Sequence, residues 1–423
     1  MSVPTLTTLS NGMKLAHYRI PGAQSVRMLM YVHGGASSEP REAHGLAHYV
    51  EHLTFFGNSK STGATKSDRL TSIGYDINAR TDEQGIEYSF VGLGATWREA
   101  LAELCHIVTT LDCTEEEFQT EKDVVARELH GDSCWDMINE MHNQLSTGGS
   151  ELARSIGGDE ESVKALTLDA CRKWFEEIFV PANMILTIVG DVPRDEIEAV
   201  VMKEIAANEN GQAYKQPVLS YAGGETTYGS RCSEGHLSLS YPIEVTSPEQ
   251  NYAAYILRNI LGSGPSSLLF KRLRDEEGLS YRFGCAYDNF ENLTAISLWL
   301  DCEAKRLLDA AEVCSDIIKE VSNGVSEEVF KLHQMRLLGH NAYEIDSPSN
   351  FAYELATMVR YFDQVLSPAE CIAYASAVTC NDVNEMLFSA LSKTPSLTAM
   401  GPISKLPTLK SMGLDQLLLA EAG

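Results

Sequence analysis

Two histidines and a glutamate within His48-Tyr49-Val50-Glu51-His52 are the residues of this chain best suited to chemistry. On a helix, positions 48, 51 and 52 share one face, with the imidazoles a full turn apart and Glu51 between them. Neutral imidazoles are good donors to Zn²⁺, and a carboxylate left free of the metal can take a proton from the attacking water. The order H-x-x-E-H is one in which this chemistry is found. A catalytic zinc ion takes three protein donors, so a further His, Asp or Glu must come from a neighbouring element.

The elements around the motif follow from periodicity and turn chemistry. Alternating residues predict a strand over Val26–His33, ended by Gly34-Gly35. The motif then sits on a short helix from Gly45, with Leu46, Tyr49, Val50 and Leu53 as its apolar partners, stopping before Gly57-Asn58. A helix over Thr65–Ile73 and paired strands at Ile77–Thr81 and Ile86–Val91 come next, followed by a helix over Thr96–Leu111. Another begins at the cap-like Thr114-Glu-Glu-Glu117 and runs past Glu128. Further on, Leu168–Phe179 is helical behind Thr167, Met184–Val189 is a strand and Arg194–Ala207 is helical again. The stretch after Asn208, rich in turn formers and without periodicity, reads as a linker.

Beyond the linker the order of elements starts over. Asp112-Cys-Thr-Glu-Glu-Glu-Phe118 precedes a long helix in the first half, and Gly324-Val-Ser-Glu-Glu-Val-Phe330 precedes one in the second. Two related halves are expected: a zinc-binding domain at 1–207, a linker at 208–228, and a related domain without metal at 229–423. The fold class is α+β, each domain a mostly antiparallel sheet packed with helices. Aligning Phe118 with Phe330 sets Glu121 and Glu128 opposite His333 and His340, and the second half has no H-x-x-E-H, so this reading confines metal to the first. Glu128 lies on the helix that opens at Thr114, with Glu121 two turns earlier on the same face, so one can ligate while the other supports.

With that spacing the chain resembles the pitrilysin/insulinase family of zinc peptidases, in its half-length branch related to mitochondrial processing peptidase. The resemblance covers nearly the whole chain. It rests on Gly45-Leu-Ala-His and the motif that follows, on Glu121 and Glu128, on Asn78-Ala79-Arg80-Thr81, on Pro181-Ala-Asn-Met184 and Gly190-Asp191, and on Leu268–Arg274 with Gly278-Leu-Ser-Tyr281. Asn58 departs from the Thr usual after the Gly, and Gly262-Ser-Gly-Pro265 is poorer in glycine than the loop of the mitochondrial non-catalytic subunit. Neither position touches the zinc chemistry.

The resemblance implies that His48, His52 and Glu128 hold one Zn²⁺ per chain, that Glu51 is the general base, and that Glu121 supports the ligands. Arg274 and Tyr281 would clamp substrate, with Tyr281 also a donor to the carbonyl oxygen, and Asn78 and Ala79 would pair with an extended peptide. The implied activity is that of a zinc endopeptidase acting on peptides or unfolded segments in a chamber enclosed by two chains. A homodimer is the simplest assembly, since one chain carries both zinc ligands and clamp. The alternatives are a non-catalytic scaffold or peptide-binding subunit, and one subunit of a heteromeric maturase.

Composition fits this reading. At 423 residues the chain exceeds what one core usually serves, and its 44% hydrophobic and 22% charged content are ordinary for globular proteins. A formal charge of −26 argues against nucleic acid as a partner. No apolar run is long enough for a bilayer, and Met1–Ser10 carries neither an export signal nor an Arg-rich transit pattern. Ten scattered cysteines without C-x-x-C suggest buried thiols, hence the cytoplasm.

Overall fold

The computed structural model describes residues 3–60, 63–129, 134–205 and 211–415. A six-stranded sheet forms from β1 (Thr5–Thr8), β2 (Lys14–Arg19), β3 (Ser25–His33), β4 (Tyr75–Thr81), β5 (Gly85–Leu93) and β6 (Met184–Gly190). Its order is β1-β2-β6-β3-β5-β4, with only β2 and β6 parallel. Every residue of β6 is buried, which is why Met184–Gly190 is apolar apart from Thr187 where a half-exposed strand would alternate.

A five-stranded sheet forms from β7 (Gly224–Gly229), β8 (Glu234–Ile243), β9 (Arg282–Phe290), β10 (Leu293–Glu303) and β11 (Ser396–Gly401), in the order β7-β11-β8-β10-β9. Here β7 and β11 are the parallel pair and the other pairs are antiparallel. Strands β2 to β6 and β7 to β11 therefore repeat one topology in one chain order, and the expected duplication is present in the fold. β7 takes the last residues of the stretch read as linker, because Thr226, Thr227 and Tyr228 find a parallel partner in β11.

Two compact units contain these sheets. The first comprises residues 1–131, 154–217 and 343–369, the second 132–153, 218–342 and 370–423. Helices α1 (Leu46–Thr54), α2 (Lys66–Ser72), α3 (Trp97–Ile107) and α4 (Glu115–Leu129) belong to the first, with helix Pro348–Phe362 packed on β3 and β6. Helix α5 (Cys134–Ser146) belongs to the second and packs on β7, β8 and β11. The Thr114 cap forms as its sequence suggests: its hydroxyl accepts from Glu117 N at 3.3 Å, while the Glu117 carboxylate accepts from Thr114 N at 2.8 Å. Among the described residues no helix is long and apolar enough to cross a membrane.

Eight cysteines stand outside any disulfide, seven of them buried. The other two correct the expectation of thiols throughout, since Cys134 and Cys232 are joined in a disulfide. They lie 98 residues apart, so no local spacing announces the bond.

His142 ties α5 to the second sheet. It is buried, with Nδ1 3.0 Å from Thr398 Oγ1 and Nε2 2.8 Å from Ser240 Oγ, and burial pulls its pKa down to about 4 from the ordinary 6.5. A depressed histidine contributes stability that is whole above 6.5 and is lost as pH falls through 4. Wild type should therefore lose ~3 kcal/mol more than His142→Asn between pH 7 and pH 4, at 1.36 kcal/mol per pKa unit. Urea denaturation of both proteins at the two pH values checks this; parallel losses would remove His142 as the cause.

Candidate active site

Helix α1 has two working faces. Leu46, Ala47, Tyr49, Val50 and Leu53 are buried in the core of the first unit, which fixes the rotation of the helix and turns His48 and His52 toward α4. Tyr49 locks the two helices together: its hydroxyl donates to Phe118 O, and its ring meets that of Phe118 edge-on at 5.1 Å. The start of α1 is held by buried Glu39, whose carboxylate accepts from Gly45 N at 3.0 Å and Ala47 N at 2.8 Å. These are donors that a helix start leaves without partners. Gly45 has φ 83°, and a Cβ there would meet Gly157 O at 2.3 Å, so only glycine fits this entry to the helix.

On the exposed side, His48 Nε2 and His52 Nε2 lie 3.3 Å apart, and Glu128 Oε2 lies 3.8 Å from the first and 3.7 Å from the second. Zinc donors sit about 2.0 to 2.2 Å from the ion, so tetrahedral donors should be about 3.3 to 3.6 Å from one another. The separation of the two histidines falls within that range, and the two to Glu128, 3.7 and 3.8 Å, lie slightly above it. The two separations to Glu128 are also longer than hydrogen bonds between imidazole and carboxylate, which would close to about 2.7 to 2.9 Å. The donor set fits a zinc ion.

The surroundings favour ligation. His52 Nδ1 is 2.8 Å from Glu121 Oε1, which orients the ring so that Nε2 is the free donor. Burial holds His48 down to about 4, so its ring is neutral at ordinary pH. Its Nδ1 is buried with no hydrogen-bond partner among the described residues, so Glu121 supports one histidine and not the other.

Glu51 is buried beneath this cluster. Thr81 Oγ1 donates to its Oε2 at 2.8 Å. Burial raises the carboxyl pKa, opposed by the Thr81 bonds and by His52. Thr81 ends β4, the edge strand that carries Asn78 and Ala79. A cleft of about 820 Å³ is lined by Glu51, His52, Asn78, Ala79 and Glu121, among others. One edge strand thus both presents backbone to the cleft and holds the buried carboxylate.

Arg274 and Tyr281 are brought together in the second unit. The Arg274 guanidinium lies 4.7 Å from the centre of the Phe270 ring and 5.5 Å from that of Tyr281, and Tyr281 is 76% exposed. Both residues can reach an incoming ligand. Sequence reasoning named Thr81 only for its backbone and missed Glu39 altogether. Nothing in the spacing of Glu39 marks it, because its role depends on the chain folding back over six residues onto the helix start.

Comparison with known proteins supplies the family. Residues 14–159 match the family described as Insulinase (Peptidase family M16), and residues 165–337 match the Peptidase M16 inactive domain. An uncharacterized zinc protease of Streptomyces coelicolor is 24% identical over 412 residues, covering 94% of this chain and 89% of its own. A protease from Helicobacter pylori of known structure superposes with a TM-score of 0.85 at 17% identity, covering 95% of this chain and all of its own. The peptidase M16 inactive domain from Pseudomonas fluorescens gives 0.86 at 17% identity, covering 96% and 99%.

Proposed function

As this chain belongs to the insulinase family of M16 peptidases, we propose that it is a zinc endopeptidase cutting peptides or unfolded segments, with one catalytic zinc ion held by His48, His52 and Glu128. The observation that carries this reading is the convergence of the three donor atoms, 3.3, 3.7 and 3.8 Å from one another, beside a buried carboxylate. When bound there, zinc supplies a Lewis acid that polarises the scissile carbonyl and makes water a stronger acid.

This chain's residues account for the rest. Glu51, fixed through Oε2 by Thr81, takes the proton of the attacking water on its other oxygen and delivers it to the leaving amine. A substrate strand laid along the outer edge of β4 pairs with the backbone of Asn78 and Ala79 and passes Glu51 in an extended form. That mode reads backbone more than side chains, which suits unfolded segments. Arg274 holds a substrate carbonyl and Tyr281 donates to the developing oxyanion, from the second unit of a partner in a homodimer.

Glu121 positions His52. Glu121→Ala should weaken zinc binding on the order of 10- to 100-fold, read by competition with a chromophoric chelator; unchanged affinity would mean that the bond orients nothing.

A non-catalytic, peptide-binding role is the second reading, favoured by the match of residues 165–337 to an inactive domain. Those residues lie outside the H-x-x-E-H segment, in keeping with a catalytic metal held by the first half alone. Zinc analysis with a quenched-peptide library read by mass spectrometry decides: a zinc-loaded protein that cuts nothing supports the scaffold.

A further inference from the structure

A second cluster of metal-ligating groups lies in the second unit and shares no residue with the first. Cys134 opens α5, Cys232 lies between β7 and β8, and His236 stands on β8. Both sulfurs and a nitrogen of the His236 ring lie within 4.8 Å of one another. His236 is 3% exposed, and its Nδ1 lies 3.1 Å from Oδ1 of Asp301, the residue directly opposite on β10 and equally buried. The other Asp301 oxygen faces Arg282 Nη1 at 3.2 Å. His236 Nε2 is buried and has no hydrogen-bond partner among the described residues.

That orphaned nitrogen is what a simple structural disulfide leaves unexplained. With Nδ1–H donated to Asp301, Nε2 carries a lone pair, and a buried acceptor without a donor costs about 1 to 3 kcal/mol. A disulfide has no proton to give it. An imidazole backed by a carboxylate, with a ring nitrogen within 4.8 Å of two cysteine sulfurs, is instead the way proteins hold a histidine for a metal. Two thiolates and an imidazole suit zinc and do not suit magnesium or calcium.

We propose that Cys134, Cys232 and His236 form a second metal site, which takes zinc when the two cysteines are reduced and gives it up when they join. A low-molecular-weight disulfide is the oxidant. The two thiolates lose two electrons and form the Cys134–Cys232 bond, the oxidant's S–S bond breaks to two thiolates, and the zinc ion leaves. In the reverse direction a dithiol reduces the bond, and zinc displaces two thiol protons.

Cobalt substitution of the full-length protein tests this, because the His48, His52 and Glu128 set contains no sulfur. Metal-free protein, reduced and then freed of reductant without air, should show a sulfur-to-cobalt charge-transfer band in the near ultraviolet on adding Co²⁺. Oxidised glutathione should abolish the band. Zinc content should be two equivalents per chain when reduced and one when oxidised. Cys232→Ser should lose the band and the second equivalent, and Asp301→Asn should weaken it on the order of 10- to 100-fold. His52→Ala should keep the band while losing the other ion. A reduced wild-type protein without the band, or a band that survives Cys232→Ser, overturns the proposal; the wild-type titration decides even if a variant fails to fold.

Discussion

Glu51→Gln is expected to lower kcat/KM for peptide cleavage by about 10³-fold, within the 10²- to 10⁴-fold range of general-base loss, while leaving zinc content and fold unchanged. The substitution preserves shape and keeps an oxygen for Thr81 Oγ1, which now reaches Glu51 Oε2 at 2.8 Å. What it removes is the ability to take and return a proton. At 1.36 kcal/mol per decade the barrier rises by about 4 kcal/mol. The carboxylate already sits at a cost, since burial raises its pKa and only Thr81 and the neighbouring imidazole offset that; the amide would therefore not destabilise the site. Kinetics on a quenched peptide, with zinc measured in the same preparation, check this. Activity within tenfold of wild type would remove Glu51 as the base, and a loss of zinc in step with activity would make it a structural residue instead.

The parts of this site legible in the sequence are those fixed by local geometry. His48, Glu51 and His52 share a face because helical positions three and four apart must, and the apolar residues between them already said which way the helix would turn. Glu121 and Glu128 were visible for the same reason, given a helix that announces its start with Thr114 and Glu117. The repeat was also legible, since residues 324–330 echo residues 112–118 ahead of a long helix in each half. What stayed hidden depends on tertiary approach. Thr81 reaches Glu51 across 30 residues, and Glu39 reaches α1 through a loop with no periodicity. Nothing in the sequence says which sheet α5 and helix Pro348–Phe362 will each cover. Cys134 and Cys232 meet only because α5 joins the second unit.

A mixed dimer of Glu51→Gln chains with Arg274→Ala/Tyr281→Phe chains should recover about half of wild-type activity, although neither variant alone retains more than ~1%. The reasoning is one of counting sites. If the first unit of each chain works with the second unit of its partner, a mixed dimer holds one site with both lesions and one site with none. If each chain works alone, every site in the mixed dimer carries a lesion and nothing is recovered. The low activity of the clamp variant follows from two lost contacts, because a donor aimed at the oxyanion is worth about 10² to 10³ in rate, and Arg274 and Tyr281 stack as a pair. Co-expression with two different tags and sequential purification isolates the mixed dimer. Recovery that disappears on dilution to nanomolar concentration would tie activity to assembly, whereas a fully active monomer at that concentration would refute the composite site and leave the zinc chemistry of Glu51 standing on its own.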